Sequence, residues 1–190
     1  MVYNIVVIIH LVGLALGVGG ATTSDFFFLK SIRDKKITAT EFSFLHAASR
    51  VVWAGLTVLF LSGVAFIVMN QLQSPGSDLL YTEKMKVKLV IVGLIFLNGL
   101  IMHLFFFPFM KKHIDKQFEE RDFLHWAPIV STQAAISVIS WYSALVIGGW
   151  RQLDLDFGQL LSVYLFLLAV AIIGSNLLTQ FLIRHVLYRR

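Results

Sequence analysis

Cysteine is absent from this 190-residue chain. Disulfides, thiolate metal sites and cysteine nucleophiles are therefore excluded. Charge is scarce, with Asp, Glu, Lys and Arg making up 14% of residues, where a soluble domain carries about 25%. No phosphate-binding glycine loop occurs. The glycines near the start follow no strand, so a dinucleotide fingerprint fails. No Ser-His-Asp arrangement stands out. No Glu-x-x-His or His-x-x-x-His spacing falls within a helix, and a four-ligand zinc site would have to borrow Asp25 alongside three histidines. The opening Met1-Val2-Tyr3-Asn4 has no basic n-region, so the first apolar segment is expected to be a mature helix.

What the chain has instead is apolar sequence in long runs. It is 57% hydrophobic, with a mean hydropathy of +0.78. Five spans are readable, at about 3–29, 40–69, 85–110, 124–149 and 158–186. The expected fold is all-α and integral to the membrane, one transmembrane domain over 1–190 with sequential helices antiparallel. The formal charge of +5 points to lipid rather than nucleic acid, because Lys and Arg at membrane edges set topology. Eleven of these residues fall on one side (Lys30, Arg33, Lys35, Lys36, Lys111, Lys112, Lys116, Arg121, Arg184, Arg189, Arg190) and four on the other (Lys84, Lys86, Lys88, Arg151). The bias puts the N-terminus outside and the C-terminus in the cytoplasm of a bacterial-type inner membrane.

One tripeptide occurs twice. Phe44-Leu45-His46 returns as Phe123-Leu124-His125, 79 residues later, and at that offset ten positions between 20 and 51 are identical. Gly20 matches Gly99, the Phe26–Phe28 run matches Phe105–Phe107, and Glu41 matches Glu120. The expectation is two repeated helical hairpins, about 1–70 and 85–149, forming a four-helix antiparallel bundle with the helix at 158–186 on its periphery.

The duplication places one histidine near the start of the second helix of each copy. His46 and His125 would then sit at matched depth on diagonal helices, where two imidazoles can grip a haem. They are the first-choice haem or metal ligands, with His10 and His103 in reserve. The alternative is that both histidines merely mark the cytoplasmic edge. His46, Arg50 and Trp53 share a helix face. Arg50, about 15 Å into its helix, must pair or snorkel. Either it forms an ion pair with Asp25 or it neutralises a ligand carboxylate such as a haem propionate, with Trp53 and Trp126 lining the ring. Thr38-Ala39-Thr40-Glu41 reads as a helix cap. Gly13 and Gly17 allow close helix approach. Pro108 should kink or end its helix. His113 reads as solvated and His185 as interfacial. The fourth span carries Ser131, Thr132, Gln133, Ser137, Ser140 and Ser143, which must face protein, water or ligand.

His10 followed by Gly20 and aromatics, Lys86-Val87-Lys88-Leu89-Val90 at the start of the third span, and Pro128 after a charged stretch form a pattern. It resembles the small helical membrane proteins of the HemJ-like and CopD-like superfamily, over spans one to four. The HemJ resemblance implies haem b, a haem-dependent oxidoreductase, and functional roles for His10 and Lys88. The chain departs from it where Leu124-His125-Trp126-Ala127 precedes Pro128 in place of the family's Asn-Glu. The CopD resemblance implies copper handling, although His and Met form no copper-like cluster.

Two functions follow. One is a b-type haem protein that transfers electrons or oxidises a membrane-accessible substrate, with a membrane redox partner or a hydrophobic small molecule as its counterpart. The other is a cofactor-free small transporter, channel or interaction subunit with a polar site in the cytoplasmic half, lined by Asp25, Arg50, the histidines and the polar face of the fourth span. A homo-oligomer is open under either.

Overall fold

The computed structural model describes residues 1–34, 36–74, 82–116, 120–150 and 152–187, without the side chains of 28, 29, 31–34, 120–124 and 185–187. The turn at Pro75–Ser77, Arg151, and the side chains of the acidic stretch before His125 and of His185 lie outside that description.

The helices are α1 (Val2–Asp34), α2 (Ala39–Gln73), α3 (Glu83–Ile101), α4 (Phe107–Lys112), α5 (Glu120–Gly149) and α6 (Phe157–Leu187). A π-helical segment, Met102–Phe106, joins α3 to α4. Among the described residues, five stretches are long and apolar enough to cross a membrane: Val2–Phe27, Ala39–Gln73, Glu83–Lys112, His125–Gly149 and Phe157–Arg184. The protein is a multi-pass all-α membrane protein, as the composition requires. Large apolar side chains such as Phe60, Leu72, Phe166 and Phe181 face outward, where lipid covers them.

Local chemistry sets the helix ends. Thr38 and Glu41 form a reciprocal capping box: the Glu41 N–H donates to Thr38 Oγ1 (3.2 Å) and the Thr38 N–H to Glu41 Oε2 (3.0 Å). The Lys30 ammonium lies 2.9 Å from Glu41 Oε1, so this acid is paired as well as hydrogen-bonded. Pro108 acts as expected in a specific form. It has no N–H, and its ring crowds the carbonyl one turn back. The backbone widens into the π turn immediately before it and then resumes as α4.

α1 and α2 form the tightest pair. A Cβ on Gly13 would stand 3.0 Å from the Gly55 carbonyl oxygen, and one on Gly55 would stand 2.7 Å from the Gly13 oxygen. Small residues allow this approach. The space a Cβ would need at Gly17 is filled by the Trp141 ring of α5. α5 therefore packs on α1 as well as α3, and α2 and α5 lie on opposite corners. The α2–α3 seam is the thinnest of the four sides.

At one end, Ile37 and Ile114 form an isolated parallel bridge, with the Asp115 N–H donating to the Ile37 oxygen at 2.8 Å. The α1–α2 and α4–α5 connections thus meet there, beside Lys36, Lys111 and Lys112; this is called the basic end. At the opposite end, Glu83 accepts from the Phe157 N–H (3.0 Å) and Lys86 (2.7 Å), tying α3 to α6.

α6 lies outside the four-helix core, against α5 and α3. Three buried or half-buried bonds of 2.8 Å hold it: Thr179 donates to Ser131, Asn176 to Thr132, and Ser140 shares a hydrogen bond with Tyr164. Such bonds contribute about 0.6 kcal/mol each in membrane helices. Much of the polar face of α5 is therefore spent on α6. That corrects the expectation that the whole face lines a site.

Candidate functional site

Four helices converge on one cavity in the half of the bundle nearer the basic end. Its volume is about 80 Å³, several times what a single water needs. α1 contributes Ala21, Ser24 and Asp25; α2 contributes Leu45, Ser49, Val52 and Trp53; α5 contributes Val130, Gln133, Ala134 and Ser137. Asn98, Gly99, Met102 and Phe107 complete the wall. Each group follows the three-to-four-residue spacing of one helix face.

The polar atoms on this wall are unusual. Asp25 Oδ2, Asn98 Oδ1 and Gln133 Oε1 are buried and have no hydrogen-bond partner among the described residues. Unpaired buried acceptors normally cost a few kcal/mol each. Three on one wall, all acceptors, mark a place where the protein forgoes internal pairing. The Asn98 amide has a set orientation, because its Nδ2 donates to the Gln133 carbonyl at 3.2 Å and leaves Oδ1 turned away. The Ser24 hydroxyl donates to the Gly20 carbonyl at 2.9 Å and so offers the cavity its lone pairs.

Apolar clusters flank the cavity on both sides. Leu14, Leu56, Ile91, Ile95 and Trp141 belong to the one toward the far end. Ile37, Leu45, Phe106, Phe107, Met110 and Val130 form the one toward the basic end. A Cβ added to Gly99 would stand 3.5 Å from the Trp53 ring, which also meets Phe96 edge-on at the thin α2–α3 seam.

The site residues expected from the sequence distribute differently. Trp53 lines the cavity, but none of His10, His46, His103, His125, Arg50, Trp126 or Lys88 does. The cavity-facing stripe of α2 is Leu45, Ser49, Val52 and Trp53. His46 and Arg50 each lie one residue further round, about 100° away, and both are exposed. No ion pair joins Arg50 to Asp25 among the described residues, which corrects that expectation. His46 and His103 both approach the Phe107 ring edge-on, at 5.4 and 6.0 Å, while His125 packs on its neighbour Trp126. No ring contact joins His46 to His125. Trp126 stacks on Phe109 at 4.5 Å. His113 is not simply solvated: it is half-buried, with Nδ1 2.9 Å from the Phe109 carbonyl.

His10 sits in the other half of the bundle. Its Nδ1 is 2.8 Å from Ser62 Oγ, and its ring meets Phe66 edge-on at 5.4 Å. No grouping of three His, Asp or Glu side chains able to hold a metal occurs among the described residues. A haem does not fit the cavity, which is far smaller than the macrocycle and has no histidine on its wall.

The sequence did carry a signal for the site. Ser24-Asp25, Ser49, Asn98, and Gln133 with Ser137 are polar residues within membrane-spanning stretches, in the half nearer the basic end. Comparison with protein-family models, with curated proteins and with solved structures finds no match.

Proposed function

We propose that this chain is a cofactor-free membrane protein that admits a small polar solute or ion to a site inside its bundle, in the manner of a small transporter or channel. One observation carries the reading: three buried oxygens without partners line a single cavity formed by four helices. A structural polar network would satisfy its own members. Ionisable groups at such depth inside membrane helices mark solute or ion pathways.

The cavity lies in the half of the bundle nearer the basic end, which supports entry from that end, assigned to the cytoplasm by the Lys/Arg bias. The apolar cluster at that end includes Phe106 and Phe107, carried by the π segment and the helix turn containing Pro108. π turns recur at functional sites and give a helix a place to deform. Movement there would open the cavity without disturbing the α1–α2 pair.

The natural absence of cysteine supplies the test. Ser137→Cys and Ser49→Cys place single thiols on the cavity wall of an otherwise thiol-free chain. Both are expected to react with a small water-soluble methanethiosulfonate, at least about tenfold faster than Val163→Cys, which faces lipid. Equal, negligible rates at all three positions would refute a hydrated cavity.

A second reading, haem b with the oxidoreductase chemistry of the HemJ resemblance, rests on His10, a histidine inside a membrane span. His10, with Nδ1 engaged by Ser62, keeps Nε2 free as a ligand atom. When bound, haem would supply the redox chemistry. That reading predicts a Soret band and split α and β bands from the dithionite-reduced protein; the transporter reading predicts a colourless protein, even after expression with added haem.

A further inference from the structure

We propose that the cavity between Asp25, Asn98 and Gln133 is a binding site for a small monovalent metal cation of the sodium type, an inference that rests on the transporter reading above. The orphaned atoms are one carboxylate oxygen and two amide oxygens, all acceptors. The Ser24 hydroxyl directs its O–H to the Gly20 carbonyl and adds further lone pairs. Ser49 and Ser137 bring two more hydroxyl oxygens to the same wall. A set of hard oxygens suits an alkali or alkaline-earth ion and suits no soft metal.

Charge selects among hard ions. Asp25 is the only acidic side chain on the wall, and no Lys, Arg or His faces it there among the described residues. A single positive charge on the ligand brings the site to neutrality. A divalent ion would leave a net charge inside the membrane-spanning bundle, which is costly. An anion would meet the Asp25 carboxylate with no cationic donor on the wall, only the neutral Ser49 and Ser137 hydroxyls, the Trp53 indole and the Asn98 and Gln133 amides. Among the described acids at this end, Glu41 is held by Lys30 at 2.9 Å and by its own cap and Asp115 lies 3.9 Å from the Lys36 ammonium, whereas no ion pair reaches Asp25. At about 80 Å³ the cavity exceeds a bare ion, so the cation keeps part of its water.

The test is equilibrium binding of radioactive sodium to the full chain in lipid nanodiscs, with choline replacing sodium to hold ionic strength. The expected result is saturable binding that Asp25→Asn weakens by about tenfold or more and Asn98→Leu by a similar factor. Asp154→Asn, on the exposed α5–α6 connection, is expected to leave it unchanged. Absence of saturable sodium binding to the wild-type chain would overturn the proposal, and that result does not depend on any variant folding. If Ser137→Cys still reacts in that case, the polar-solute reading survives and only the cation assignment falls. If Ser137→Cys is also inert, both fall. Binding of methylammonium without sodium would likewise overturn the metal assignment, as would sodium binding that Asp25→Asn leaves intact.

Discussion

Gly55→Leu is expected to prevent the bundle from assembling. A Cβ at this position would stand 2.7 Å from the Gly13 carbonyl oxygen, 2.7 Å from the Gly17 nitrogen and 3.2 Å from the Gly17 Cα. All three are backbone atoms of a neighbouring helix, so no side chain can turn aside to make room. The helices must separate, and α1–α2 is the most extensive contact in the molecule. Overpacking usually costs 1–3 kcal/mol. Here two helix backbones must part, so the effect should reach the tail of about 4 kcal/mol or more. At roughly 2–4 °C per kcal/mol for a chain of this size, the melting temperature should fall by about 10 °C or more, or no folded protein should be recovered. Gly63→Ala and Gly93→Ala are the controls. Nothing lies within 4 Å of a Cβ at either site, and alanine improves helix propensity by up to about 1 kcal/mol. A Gly55→Leu protein that melts with the wild type would show that the glycine contact does not hold α1 to α2.

Asp25→Leu is expected to act in the opposite direction on stability and to abolish binding. The side chain is half-buried, its Oδ2 is fully buried without a partner, and no cation pairs with it among the described residues. Replacing an uncompensated buried polar group by an apolar one of similar size commonly stabilises by about 1–3 kcal/mol. The leucine would also occupy part of the cavity. In sodium-free buffer the variant should melt about 3–10 °C above the wild type, while sodium binding and any solute transport disappear. Such a gain in stability with loss of activity is what a site held open for a ligand produces. A structural Asp25 would give the reverse, a clear loss of stability on substitution.

The fold was more legible in the sequence than the site. Five apolar runs, the Thr38–Glu41 cap and the small-residue face at Gly13 and Gly17 each depend on residues close in sequence or on one helix, and all three correspond to structural features. The site depends on register between helices. Nothing local tells whether Ser49 or Arg50 faces inward, because one residue of rotation on α2 exchanges them. The spacing of His46, Arg50 and Trp53 drew the eye to a face that only Trp53 shares with the cavity. The bonds from Ser131, Thr132 and Ser140 to α6 were hidden for the same reason. Their partners Thr179, Asn176 and Tyr164 sit on the helix that looked least polar and least involved. His10 was costly in hydrocarbon whichever way it turned, and Ser62, 52 residues away, could be identified as its partner only from the packing of α1 on α2.

Everything turns on whether water and solute reach the cavity that carries Asp25, Asn98 and Gln133. The most direct measurement is the modification rate of Ser137→Cys in sealed proteoliposomes of known orientation, with a membrane-impermeant thiol reagent applied from each side in turn. The account predicts reaction from the basic end, slowed when sodium fills the site, and little reaction from the end that carries Glu83 and Phe157. A thiol that stays unmodified from both sides, in a protein whose fold is otherwise intact, would contradict it.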